Sequence, residues 1–289
     1  MIQPPTDAML VPFDGSFRVA DHATVPGEDI GKKDLQKLLK KRVKKISKLQ
    51  RKLYADDRFA MLLVFQAMDA AGKDGTIRAV MSGVNPAGCQ VYSFKSPSAE
   101  ELEHDFLWRT SKRLPERGRI GIFNRSYYEE VLAVRVNPEF LAKQRLPCID
   151  NNIWDDRFES IREHESHLNR NGTIVLKFWL NVSREEQKDR FMSRLTTPER
   201  YWKFSKSDLS ERGKWSDYMA AYQDIFNETS REDAPWYAIP ADNKPYMRLC
   251  VAQVVAQTLE SLPLEYPEKS TEELALFEQH ISNLESESS

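Results

Sequence analysis

Five short apolar runs punctuate the chain, and each gives way to a stretch with helical spacing of its apolar residues. Residues 61–68, from Met61 through Leu62, Leu63, Val64 and Phe65 to Met68, are apolar almost throughout, as a strand buried on both faces must be. Residues 88–95 alternate, 119–123 and 236–240 are short apolar runs, and 173–182 is the strongest strand pattern of the set. Over residues 32–54, Leu35, Leu38, Leu39, Val43, Ile46, Leu49 and Leu53 recur every three or four positions, which predicts an amphipathic helix. Ser98 with Glu101, and Ser183 with Glu186, have the spacing of capping boxes. The first opens a helix expected to carry Leu102, Phe106 and Leu107 as far as about Pro115. The second opens a helix that Pro198 stops. Further helices are predicted over 154–171, 215–229 and 244–262.

Strands alternating with helices predict an α/β fold: a parallel, doubly wound five-stranded sheet with helices on both faces. Neither a repeat nor a linker interrupts it. We expect one domain over residues 31–262, an extended leader over 1–30 draped on the surface, and an acidic, partly disordered tail over 263–289.

Composition narrows the setting. The 289 residues are 40% hydrophobic and 30% charged, with no run long enough to span a bilayer and no signal-peptide pattern. Cys89, Cys148 and Cys250 are widely spaced, without metal-ligand or redox-motif spacing, so a cytoplasmic protein with reduced thiols is expected. A net charge of −2 argues against a nucleic-acid binder. Charge is uneven, however. Between Lys32 and Lys52 the polar faces of the first helix carry eleven Lys and Arg residues, among them Lys41, Lys44 and Lys45, against Asp34 alone. A face of that kind is either solvated or has an anion along it.

The first apolar run breaks into Asp69, Ala70, Ala71, Gly72, Lys73, Asp74, Gly75 and Thr76, and helical character resumes at Ile77, Arg78, Ala79 and Val80. Strand, Gly-Lys turn and helix are the context of a phosphate-binding loop, whose backbone N–H groups point at an anion. Against the pattern Gly-x-x-x-x-Gly-Lys-Ser/Thr, Ala67 replaces the first glycine and Asp74 the hydroxyl residue. The third strand ends in Asn124, Arg125, Ser126, Tyr127, Tyr128, Glu129 and Glu130, with Asn124 where many phosphate-loop enzymes place a magnesium-binding Asp. Arg190 and Arg194 share one helix face. After Pro198 follow Arg200, Tyr201, Trp202, Lys203, Phe204, Lys206, Asp208 and Arg212, the composition of a cationic flap over phosphates. His104 with Trp108, and His164 with His167, lack further ligands and read as packing residues.

Four stretches together resemble the family-2 polyphosphate kinases: 66–76, 123–129, 201–212 and 234–242. The resemblance covers roughly residues 30–262. It implies a P-loop-kinase-like fold with a helical lid near 196–215, dimers or tetramers, and Mg²⁺-dependent phosphoryl transfer between inorganic polyphosphate and a nucleotide; Mn²⁺ is an alternative ion. In that family the loop tolerates Ala67 and Asp74 and keeps Asp69 as its signature acid. Asn124-Arg125-Ser126 is similar to the subgroup that accepts nucleoside mono- and diphosphates, so ADP and AMP are the expected acceptors.

On this reading Asp69 binds the metal, and Asp69, Lys73, Asn124 and Arg125 are catalytic. Residues 70–76, Arg78, Arg190, Arg194, Lys203, Lys206 and Arg212, with Lys41, Lys44 and Lys45, hold the donor chain. Asn124, Arg125 and Glu129 hold the acceptor. An ATP-dependent kinase of the same fold is the rival expectation, and a polyanion- or RNA-binding module a more distant one.

Overall fold

In a computed structural model, which describes residues 8–27 and 30–287, β1 (Ala60–Gln66), β2 (Cys89–Ser93), β3 (Ile120–Asn124), β4 (Thr173–Asn181) and β5 (Trp236–Pro240) form one sheet. The order is β2-β3-β1-β4-β5 and each neighbouring pair is parallel. All seven residues of β1 are buried, which is why that stretch reads as apolar without alternation. From β1 the chain runs to one side for β2 and β3, then to the other for β4 and β5. The carboxyl end of β1 therefore opens into the crevice where such sheets bind ligands.

The helices follow in chain order. α1 (Lys32–Asp56) precedes the sheet, and α2 (Lys73–Val80) follows β1. Between β2 and β3 lie α3 (Ala99–Leu102) and α4 (Trp108–Ser111). α5 (Ala133–Val136), α6 (Glu139–Ala142) and α7 (Ile153–Arg170) lead to β4, and α8 (Arg184–Thr196), α9 (Lys206–Gly213) and α10 (Trp215–Thr229) to β5. α11 (Lys244–Ser261) and α12 (Thr271–Ser286) close the chain. α1 packs along α11, which also meets α2, whereas α7 and α10 pack together with α7 against β4. Alternation along β4 separates the two layers. Trp179 packs on Tyr222 and Phe226 of α10, while its neighbour Phe178 stacks between Phe65 and Tyr237 on the opposite face.

Two expectations change, and the two ends of the chain take a definite form. The helix opened by Ser98 forms its capping box but stops at Leu102. Asp105 then accepts a hydrogen bond from the Leu107 N–H and starts a second turn, so the predicted long helix is two short ones. At Ser183 only half of the expected box forms: its hydroxyl accepts from the Glu186 N–H, but the Glu186 carboxylate turns to Arg190 and Asp242 takes the Ser183 N–H. Most of the described leader lies exposed on the surface, with Val11 and Phe17 buried. Leu10 pairs antiparallel with Tyr237, and Val11 N–H donates to Trp236 O while Ala238 N–H donates to Met9 O, so the segment covers the edge of β5 with Val11 fully buried. The tail forms α12, opened by a capping box of Ser270 and Glu273, with no buried residue. Residues 1–7, 28–29 and 288–289 of the expected leader and tail lie outside the described residues.

Candidate active site

The turn after β1 is built around backbone that side chains resist. Ala70 and Gly72 have φ of 64° and 109°, and a Cβ on Gly72 would stand 3.2 Å from Met247 Cε and 3.6 Å from Arg190 Nη1. Gly72 is therefore required both for its left-handed conformation and for the close approach of α11 and α8 beneath the loop. Arg125, at the end of β3, is also left-handed with φ of 63°, and its N–H donates to Phe65 O. Such strain concentrates where a fold must aim functional groups.

These constraints bring four expected catalytic residues together. Arg125 Nη2 donates to Asp69 Oδ1 at 2.5 Å, and its Nη1 lies 3.7 Å from Glu129 Oε2. Asn124 Nδ2 donates to Asp74 Oδ1 at 2.5 Å, tying the end of β3 to the first turn of α2. Lys73 Nζ donates to Ala67 O at 2.7 Å. Burial works against the charge on Asp69, but Arg125, Lys73 and Arg194 outweigh it and hold the carboxyl below its usual range. Desolvation, with the Arg125 charge adding to it and Asp69 and Glu129 opposing, pushes the Lys73 ammonium down to about 8.

The arginines divide by role. Arg190, 7% exposed, is committed to the main chain: Nη1 donates to Ala70 O and Ala71 O, Nη2 to Ala241 O and Asp242 O, and Nε to Glu186. It braces the underside of the loop instead of facing a phosphate, which departs from the sequence expectation. Thr76 is likewise turned inward, its hydroxyl donating to Gly72 O. Arg194 contacts Asp208 and the Lys203 carbonyl, fastening the lid segment Pro198–Lys203 and α9 to α8. Arg212 donates to Arg184 O and Gln187 Oε1, and Gln187 Nε2 donates to Asp69 O. Gln187, missed in the sequence, thus links lid to loop; a glutamine inside a charged helix carries no signal of that.

Lys203 lies over the Trp202 ring, and Lys206 is exposed at the start of α9. Lys45 pairs at 2.5 Å with Glu260, about 18 Å of helix rise along α11 beyond Arg248, which meets the loop at Gly75; Lys41 and Lys44 lie within about a turn of Lys45, so the three are not gathered with the loop. Near the loop stand two other cations that sequence reasoning missed. Arg248 Nη2 lies 3.3 Å from the Cβ position of Gly75. Burial first, then the charges of Arg78 and Arg190, make its protonation less favourable, and Lys244 is affected in the same way by burial, Arg190, Arg200 and Arg248. Arg78, Lys244 and Arg248 therefore form a cationic strip from α2 to the start of α11.

Beneath Arg125 and Glu129 is a buried ionic network. Tyr127 and Tyr128 both donate to Glu165 Oε1, at 2.8 and 2.9 Å, and Lys177 Nζ donates to Glu165 Oε2 at 2.5 Å, to Tyr128 Oη and to Thr229 O. Lys177 and Glu165 are 0% and 2% exposed. The tyrosines anchor the turn Tyr127–Glu130, and so fix Arg125 just before it, which meets Asp69, and Glu129 within it, which meets Arg125.

Among the described residues no group of three or more His, Cys, Asp or Glu side chains forms a metal cage. Mg²⁺ does not require one, because it keeps waters and binds through one or two carboxylates and substrate phosphates. An ionised Asp69, with one oxygen on Arg125, fits that donor set.

A five-stranded parallel sheet with a phosphate loop after its central strand, an acid–arginine pair at the loop and a cationic lid defines a P-loop-kinase-like phosphotransferase. The family model described as polyphosphate kinase 2 matches residues 29–267, and the chain belongs to that family. It is 58% identical over 240 residues to an ADP-polyphosphate phosphotransferase of Rhodopseudomonas palustris, covering 82% of this chain and 83% of the relative. It is 45% identical over 228 residues to an AMP/ADP-polyphosphate phosphotransferase of Meiothermus ruber, covering 79% and 82%. The crystal structure of polyphosphate kinase 2 from Arthrobacter aurescens superposes with a TM-score of 0.86 at 37% identity, covering 96% of this chain and 98% of that one.

Proposed function

We propose that this polyphosphate:nucleotide phosphotransferase transfers the terminal phosphoryl group of inorganic polyphosphate to ADP and to AMP. The observation that carries the reading is the Asp69–Arg125–Glu129 cluster, at 2.5 and 3.7 Å, beside Lys73 at the carboxyl end of β1. Asn124, Arg125 and Glu129 receive the acceptor phosphate. Lys73 and the loop N–H groups of residues 70–76 hold the end of the donor chain. Arg194, Lys203, Lys206 and Arg212 lie on the lid side, where closure excludes water and adds positive charge to the transferring group. Mg²⁺ on Asp69 would neutralise phosphate charge and align the two substrates. The protein's part is positioning and electrostatics, without a covalent intermediate.

The donor chain leaves the loop along Arg78, Arg248 and Lys244. A long chain then continues toward Lys32 and the lysine face of α1, where Lys41, Lys44 and Lys45 are reached only by extended polymer. Acceptance of AMP is supported by Asn124 and by the similarity to the Meiothermus ruber AMP/ADP-polyphosphate phosphotransferase. Assembly into a homodimer or homotetramer is supported by α12, where Leu274, Phe277 and Ile281 are exposed at heptad spacing. No described helix is long and apolar enough to cross a membrane.

The test omits ATP: protein, Mg²⁺, polyphosphate and either ADP or AMP. ATP forming from ADP, and ADP from AMP, is the expected result; turnover that appears only when ATP is supplied would return the rival nucleotide kinase. Asp69→Ala and Lys73→Ala should each cost at least about 10³-fold in kcat with Tm retained. Full activity in either would overturn the assignment of roles.

A further inference from the structure

Two buried side chains next to the acceptor cluster have polar atoms that nothing in the protein satisfies. Tyr222, on α10, is 0% exposed, yet its hydroxyl has no hydrogen-bond partner; Gln66, the last residue of β1, is 1% exposed with neither Oε1 nor Nε2 bonded. An orphaned buried polar group is costly and rare, and it points to a partner or a function.

The register places them together. Gln66 pairs with Trp179 of β4 and so shares its face of the sheet. Trp179 packs on Tyr222 with ring centroids 5.4 Å apart. On the other side of β1, Phe65 pairs with Asn124, which brings Gln66 beside Arg125. Burial holds the Tyr222 phenol far from ionisation, and the next contributors are the charges of Glu129 and Tyr218, with Arg125 and Asp69 also acting on it. Glu129 itself is mostly buried, with 15% of its side chain exposed, and Arg125 lies 3.7 Å from it.

We infer that Tyr222 and Gln66 are positioning residues for Glu129, joined to its carboxylate through one internal water. Buried waters typically make about three hydrogen bonds to groups otherwise left unsatisfied; a phenol, a primary amide and a carboxylate are such a set. The arrangement fixes the Glu129 carboxylate under Arg125, and hence the guanidinium's aim at the acceptor phosphate. Neither residue touches substrate. This rests on the assignment of Arg125 and Glu129 to the acceptor side.

The experiment uses the full chain in the ATP-free assay, with ADP and polyphosphate varied separately. Tyr222→Phe removes one oxygen and keeps the ring on Trp179. The expected result is a KM for ADP raised roughly tenfold, with KM for polyphosphate unchanged and Tm unchanged or lower by about 2–4 °C at most, since one hydrogen bond to the water is lost while the ring packing is kept. Gln66→Met should do the same and serves as the second variant if Tyr222→Phe folds poorly. In a Glu129→Gln background Tyr222→Phe should add little further loss. Unchanged kinetics in both variants would overturn the inference. So would a lower Tm with both KM values rising together, which is what packing alone predicts. Absence of ATP-free transfer in the unmodified protein would instead sink the functional reading, so the two failures are distinguishable.

Discussion

Lys73 Nζ rests on the Ala67 carbonyl at 2.7 Å, and burial holds its ammonium at a pKa of about 8. The groups around it are Arg125, which adds to the depression, and Asp69, Glu129 and Asp74, which oppose it. A depressed lysine loses its proton as pH rises through the folded value, so in free enzyme the charge that grips phosphate fades above pH 8. Because kcat/KM reports free enzyme, kcat/KM for polyphosphate should fall above about pH 8, approaching tenfold per unit, while kcat at saturating donor holds to higher pH. Steady-state profiles between pH 6 and 10 check this; a flat kcat/KM across that range would contradict it. Asp69 titrates below its usual range and adds no limb near neutrality.

At the scale of elements, the turn after β3 is held from beneath by α7, β4 and α10 through Glu165, Lys177 and Thr229. Burial raises the Glu165 carboxyl and lowers the Lys177 ammonium, and each partner opposes the other's shift. Lys177→Met leaves a buried carboxylate uncompensated and should cost about 3–5 kcal/mol. Lys177→Met with Glu165→Leu should recover most of that stability, because no charge is then stranded. Urea unfolding measures both, and a double variant no more stable than Lys177→Met would show that the tyrosine contacts, not the ion pair, set the cost. The sequence displayed this network poorly. Lys177 interrupts the most convincing strand in the chain, and its partner Glu165 lies on a helix where an acid looks solvent-facing.

Across the whole molecule, the position of positive charge matters more than its amount. α1 holds the densest basic run in the sequence, yet the charges that meet the loop come from elsewhere: Lys73, Arg125 and Arg190 bond to it, and Arg248 stands against Gly75. Arg248→Gln should therefore raise KM for short and long polyphosphate alike. Lys41, Lys44 and Lys45 replaced together by Gln should raise it only for long chains and flatten its salt dependence, as lost phosphate contacts do for other polyanions. KM measured against chains of graded length separates the two; equal effects of both variants on the shortest substrate would refute the proposed path.

Local pattern determined much of this protein. Seven-residue burial of β1, the helical period of α1, and the end points of α10 and β5 follow from apolar spacing and caps, because each depends on residues near in sequence. Asp69, Gly72, Lys73, Asn124 and Arg125 were legible too, since a phosphate loop and a strand terminus are contiguous motifs. Tertiary structure decided what depends on distant partners. It placed Met9 to Val11 on the edge of β5, turned Arg190 onto loop carbonyls, and brought Arg248 against Gly75. It also set Gln187 under Asp69 and buried Tyr222 and Gln66 with polar atoms that no other group of the protein meets. A side chain's type fixes which bonds it can make, but only the packed fold selects the group that meets it.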